Sequence, residues 1–172
     1  MSKRRINTLL KLLVLTSSLF SISSNALESD KGLPLSFEHD GDLKMRIEDG
    51  SRIMEMSTNV KVTQGTLEIL GDNAIFEYDA ATGELDRVTV HGNPVRYQQQ
   101  VDEEGGMLIG TSKTLVFYTD EIDGGSIVEL IEEASIKTPD STWSCRSIIY
   151  AVDDNFLRDS SGPCAGMIPS NN

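Results

Sequence analysis

Asn59-Val60-Lys61-Val62-Thr63 alternates apolar and polar side chains residue by residue, and a period of two is the mark of a half-buried β-strand. From Arg52 onward this period dominates and helical spacing is hard to find. Turn-forming residues punctuate the chain at strand spacing: Gly65, Gly71-Asp72-Asn73, Asp79 to Gly83, Gly92-Asn93-Pro94, Gly105-Gly106, Asp123-Gly124-Gly125 and Pro139-Asp140. Upstream, Leu35-Ser36-Phe37 and Leu43-Lys44-Met45-Arg46-Ile47 read as short strands in a polar stretch. Many short strands with regular punctuation predict an all-β sandwich, barrel or jelly roll.

The strand pattern also repeats. A shift of 40 residues carries Leu67-Glu68-Ile69 onto Met107-Leu108-Ile109, the run from Ala74 to Tyr78 onto Thr114 to Tyr118, and Val88-Thr89-Val90 onto Val128-Glu129-Leu130. A further shift of 34 gives a shorter copy, Ser141-Thr142-Trp143 and then Ile148 to Val152. Repeats of this length predict stacked units, each unable to bury its apolar face alone, and a long groove rather than a compact pocket. Equivalent positions point the same way, so one inward face is expected to collect Leu67, Ile69, Ala74, Phe76, Tyr78, Val88 and Val90. Val60 and Val62 join it from the strand before. The second copy adds Met107, Ile109, Thr114, Val116, Tyr118, Val128 and Leu130; the third adds Trp143, Ile148, Tyr150 and Val152. The other face holds Glu68, Glu77, Thr89, His91, Glu129, Thr142 and Ser144, but also Ile75, Leu115, Phe117 and Ile149. One strand in every copy is therefore apolar on both sides, so either it is covered on both faces or its inward face is the opposite one.

Residues 1–26 read as a cleavable secretion signal: Lys3, Arg4 and Arg5, a mostly apolar run from Leu9 to Ile22, then Ser24-Asn25-Ala26. Residues 27–160 are expected to form one β domain, and residues 161–172 a flexible tail. The chain's formal charge of −12 becomes −16 when the signal takes away Lys3, Arg4, Arg5 and Lys11. A surface this acidic repels phosphate and excludes nucleic acid as a partner. Cys145 and Cys164, in a chain bound for an oxidising compartment, are expected to pair and tether the tail to the last strand; an intermolecular link or a reactive thiol is the alternative.

No catalytic constellation is present. His39 and His91 are the only histidines, in no metal-ligand spacing, and no GxSxG elbow or glycine-rich phosphate loop occurs. Asp120-Glu121-Ile122-Asp123-Gly124 fails as a calcium loop because Ile122 stands where an oxygen ligand is required. The expectation is a protein that is not an enzyme, with no metal and no cofactor.

The stretch from Thr58 to Thr66, Thr-Asn-Val-Lys-Val-Thr-Gln-Gly-Thr, resembles a signature of the LptA/OstA family, with Thr58 where the family usually has glycine. Gly92-Asn93-Pro94-Val95 with Tyr97-Gln98-Gln99, and the strand from Arg146 to Val152, resemble it too. The likeness runs from about Leu35 to Arg158. It implies a twisted, V-shaped β-jelly roll of antiparallel strands, open at both ends, in the periplasm. It further implies lipopolysaccharide as ligand, its lipid A chains held in the apolar groove. The expected partners are inner-membrane-anchored and outer-membrane jelly-roll proteins and other copies of the chain, paired head to tail. The groove candidates are Val60, Val62, Leu67, Ile69, Phe76, Tyr78, Val90, Val116, Tyr118, Leu130, Trp143, Ile148 and Tyr150. The resemblance places the pairing edges before Val62 and near Ile148 to Val152. Two other readings stand beside it: a structural β-assembly whose apolar stripe is its core, and a secreted glycan-active β-solenoid. The second would need carboxylates or basic groups where this chain has apolar ones.

Overall fold

The structure, a computed structural model, describes residue 30, residues 32–122 and residues 124–169; the expected signal segment lies outside them. Ten strands follow one another: β1 (Ser36–Glu38), β2 (Leu43–Glu48), β3 (Ser51–Gln64), β4 (Leu67–Asp79), β5 (Leu85–Gln100), β6 (Met107–Thr119), β7 (Ser126–Lys137), β8 (Thr142–Ala151), β9 (Phe156–Ser161) and β10 (Ala165–Met167). All pair antiparallel in one sheet, β3 to β8 in chain order. At one end β1 and β2 both lie on β3, and at the other β9 and β10 both lie on β8.

The long strands do not run straight. Register slips occur at Ser57/Val60, Leu70/Asn73, His91/Val95, Thr111/Thr114 and Ile131/Ala134. Because these bulges lie side by side, they form one line across the sheet, and a bulge bends the strand that carries it. The sheet folds along that line into two layers. One layer contains β2, the first half of β3, the second half of β4 and β9; the other contains β1, the second half of β3, the first half of β4 and β10. The layers meet face to face: Phe37 of β1 lies 5.8 Å, ring to ring, from Phe76 of β4. Gly110 of the one layer allows Leu130 of the other so close that an added Cβ would sit 3.1 Å from Leu130 Cδ1. The fold is an all-β, V-shaped jelly roll, open at its two ends.

Two of the expected turns are not turns. Gly71-Asp72-Asn73 and Gly92-Asn93-Pro94 do not connect strands; both lie inside continuous strands, β4 and β5, at the bulge line. Turn residues serve there because a bulge, like a turn, needs backbone that a regular ladder cannot supply. The ends differ from expectation as well. Residues 165–167, expected in a flexible tail, form β10 on β8, and Ile148 to Ala151 are no free edge because β9 covers them.

Candidate functional site

Three rows of directly paired residues make the inward face. The first runs Met45, Met54, Phe76, Val88, Phe117, Val128, Tyr150, Leu157 from β2 to β9. The second runs Leu43, Met56, Ala74, Val90, Leu115, Leu130, Ile148. Across the bulge line the third runs Phe37, Val62, Ile69, Tyr97, Gly110, Ile136, Trp143, Gly166 from β1 to β10. Paired residues share a face, so the first and third rows are continuous apolar strips from one end of the sheet to the other, and the second is one from β2 to β8, where it meets Ser160 of β9.

Of the expected groove residues, Val60, Val62, Leu67, Ile69, Phe76, Val90, Leu130, Ile148 and Tyr150 lie buried in this interior, and Tyr78 and Trp143 pack against it half-exposed. Val116 and Tyr118 do not belong there. Val116 pairs with Thr89 and Glu129, and Tyr118 with Arg87 and Ile127, on the outward face. The Arg87 guanidinium sits 5.5 Å above the Tyr118 ring, a cation–π contact at the surface. Met107, Ile109 and Thr114, set inward with Val116 and Tyr118 by the repeat, also lie off this face: Ile109 pairs with Gln98 and Lys137 and is exposed, while Leu108 beside it is buried. The run from Leu115 to Tyr118 is apolar at four successive positions, so alternation cannot choose its face; a one-residue offset then turns every side chain over. Pairing decides instead, setting Leu115 between Val90 and Leu130, and Phe117 between Val88 and Val128.

The sequence reading missed Met54, Met56, Val95, Tyr97 and Leu108, all buried. Val95-Arg96-Tyr97-Gln98 does alternate, but beyond the bulge it runs one residue out of step with the second copy. Tyr97 is fully enclosed, and its hydroxyl donates to Gln99 Oε1 at 2.6 Å; burial raises its pKa. Tyr150 donates to Asn155 Oδ1 at 2.7 Å and is pushed up to about 12, again by burial first. Both hydroxyls stay neutral at physiological pH, so the interior carries no charge at these positions.

The strips come to the surface most openly at the β2 end. Leu43, Met45 and Ile47 project from the inward face of β2 with exposures of 41%, 60% and 71%. At the far end the first strip stops at half-buried Leu157 and the third at Gly166, while Phe156 and Met167, paired with Ala151 and Thr142, are exposed on the outward face, as is Ile168 beyond them. No strand lies beyond β1, β2, β9 or β10 among the described residues, so each presents unpaired backbone N–H and C=O groups.

Residues 43–156 match the family model described as LptA/(LptD N-terminal domain) LPS transport protein, which is about two thirds of the chain. The chain belongs to this family. Its fold is matched by the crystal structure of LptH from Pseudomonas aeruginosa, described as the LptA-homologous periplasmic component of the lipopolysaccharide transport device. The match has a TM-score of 0.65 and 19% identity, and covers 83% of this chain and 99% of that one. Comparison with curated protein sequences gives no match. The family glycine replaced by Thr58 now has a structural meaning. Thr58 and Asn59 take φ of 67° and 51° at the β3 bulge, left-handed backbone that glycine adopts freely and a β-branched residue does not.

Proposed function

We propose that the chain is a periplasmic lipopolysaccharide carrier. Acyl chains of lipid A lie between its two layers, and its edges pair head to tail with inner-membrane-anchored and outer-membrane jelly-roll proteins and with other copies. The observation that carries this reading is that the apolar rows run unbroken to the β2 edge and end there exposed, at Leu43, Met45 and Ile47, while at the other edge they reach half-buried Leu157 and Trp143 beneath Gly166. An ordinary core closes over its apolar residues; this one is left open where a like edge would continue it. Edge strands recruit strands, and pairing of unlike edges continues without closing. Each acyl CH₂ shielded from water contributes about 0.8 kcal/mol, enough to hold a lipid without any covalent step.

The interior supports the manner of entry. Phe76, Val90, Leu115, Leu130 and Ile148 are wholly enclosed, so lipid enters by parting the layers from the open ends toward the bulge line, not by filling a standing cavity. That same enclosure favours the second reading, a structural subunit whose apolar strips are only a core. Titration of lipopolysaccharide against the purified chain separates the two, with Met45→Glu/Ile47→Glu alongside. Both side chains are exposed, so the variant keeps its fold. Saturable binding that the variant weakens by roughly tenfold or more, equivalent to about 1.4 kcal/mol, is expected. A folded wild type that does not bind leaves the structural reading.

A further inference from the structure

After β9 the chain passes Gly162-Pro163, Cys164 bridges to Cys145 of β8, and Ala165–Met167 pairs with Thr142–Ser144. Gly166 stands opposite Trp143, and a Cβ added there would lie 2.4 Å from Trp143 Cε3. The indole therefore rests on bare backbone, a seat that only glycine offers. Apart from that contact the segment buries little: Ala165, Gly166 and Met167 are all exposed, as is Ile168 beyond them. Three residues of edge pairing with so little apolar burial do not offset the entropy of ordering them. The bridge to Cys145 is what keeps them in place.

The row that Gly166 ends is the row that Phe37 begins. β1 and β10 are both three-residue strands, and they terminate the same layer at its opposite ends. If a second copy continued this layer through its β1, its Phe37 would take the position that Gly166 now holds against Trp143. An aromatic pair would then replace an indole resting on glycine. Phe37 is 39% exposed in its own copy and so available for that contact.

We infer that residues 162–167 are a disulfide-held strap that occupies, in cis, the β8 edge and Trp143 face on which β1 of a second copy docks, and that a dithiol opens it. The inference deepens the head-to-tail reading by naming a control on one edge, and rests on that reading for the docking step alone. The chemistry balances. A thiolate of the dithiol attacks the exposed Cys164 sulfur, and Cys145 leaves and takes a proton. The reductant's second thiol then resolves the mixed disulfide, so two electrons and two protons pass to the cysteines and the dithiol becomes a disulfide. A surface hollow of about 420 Å³, lined by Ser144, Cys145, Arg146 and Pro163 among others, gives the reductant room beside the bridge.

Trp143 is the only tryptophan of the chain, so its emission reports on the strap directly. Oxidised, dithiothreitol-treated and Cys164→Ser protein are compared by acrylamide quenching and sedimentation velocity, with circular dichroism to follow the fold. Release is expected to red-shift Trp143, increase its quenching and raise the mean mass. Gly166→Leu is expected to expose Trp143 with the bridge intact. Phe37→Asp in the reduced protein is expected to keep the exposure and lose the gain in mass. Unchanged quenching in folded, reduced protein overturns the strap. Exposure without Phe37-dependent association overturns the docking. Neither result touches lipopolysaccharide binding, so failure here is distinct from failure of the transport reading.

Discussion

At the N-terminal end of the sheet, β1 and β2 are joined to β3 by backbone pairing and side-chain hydrogen bonds such as Asn59 Nδ2 to Asp40 Oδ2 at 2.8 Å, with no covalent link. At the C-terminal end, β10 is bonded to β8 through Cys145 and Cys164. The exposed apolar residues are distributed accordingly. β2 offers three on one inward-facing line, Leu43, Met45 and Ile47, while the fastened end keeps Trp143 half-covered beneath Gly166. The contrast teaches that an open jelly roll need not present equal edges. One end displays a ready apolar margin, and the other holds part of its margin under a tether.

The sharpest way to break that contrast is to place the same charge at two depths of one face. Phe76 and Ile47 both point inward, but Phe76 is fully enclosed and Ile47 is 71% exposed. Phe76→Glu buries an unpaired carboxylate in the first row and is expected to cost more than about 4 kcal/mol, abolishing the cooperative transition. Ile47→Glu changes a margin already in water and is expected to stay within about 0.5 kcal/mol of wild type. Urea unfolding followed by circular dichroism measures both. Comparable losses would mean that the β2 margin is integral to the core.

The depth of Phe76 was legible beforehand; the depth of Phe117 was not. Alternation in Asn59 to Thr63 names one face because the residues between Val60 and Val62 and on either side of them are polar, and the 40-residue repeat carries that face to Phe76 although Ile75 beside it is apolar. In β6 four apolar residues stand in a row, and only their partners on β5 and β7 decide that Leu115 and Phe117 face in while Val116 and Tyr118 face out. The bulge line was hidden for a related reason. Glycine, asparagine and proline announce a departure from regular ladder geometry, but the same residues serve a bend within a strand and a turn between strands. The margin at Met45 was beyond sequence reading altogether, because exposure at an edge depends on which strand is last, not on its composition.

A smaller test removes the fastening itself. Cys145→Ser/Cys164→Ser makes the C-terminal end resemble the N-terminal one, held by pairing alone. For a sequence separation of 19, the chain-entropy model assigns such a bridge about 3 kcal/mol, acting by restricting the unfolded chain. A loss of that size in urea, with an unchanged β spectrum, is the expected outcome. A loss near zero would mean that the strap resists release through contacts other than the bridge, and would erase the difference between the ends.

The smallest expected effect lies where the two ends share a device. β3 and β7 each bend through two successive left-handed residues, Thr58-Asn59 at φ 67° and 51°, and Glu132-Glu133 at φ 62° and 54°. Asparagine tolerates this region and unbranched glutamate accepts it at some cost, but the branched Cβ of threonine crowds the backbone there. Glycine relieves that crowding while giving the unfolded chain more freedom, so Thr58→Gly is expected to gain only about 0.5–1 kcal/mol net. The backbone bond from Asp40 N to Thr58 O, 2.8 Å, needs no side chain and survives the change. Glu132→Gly relieves less crowding and is expected to gain less. Urea midpoints for the two variants rank the bends. A destabilised Thr58→Gly would show that the threonine side chain holds the N-terminal bend in place. The unfastened end would then have a local lock of its own, set at the bulge line and not at the edge.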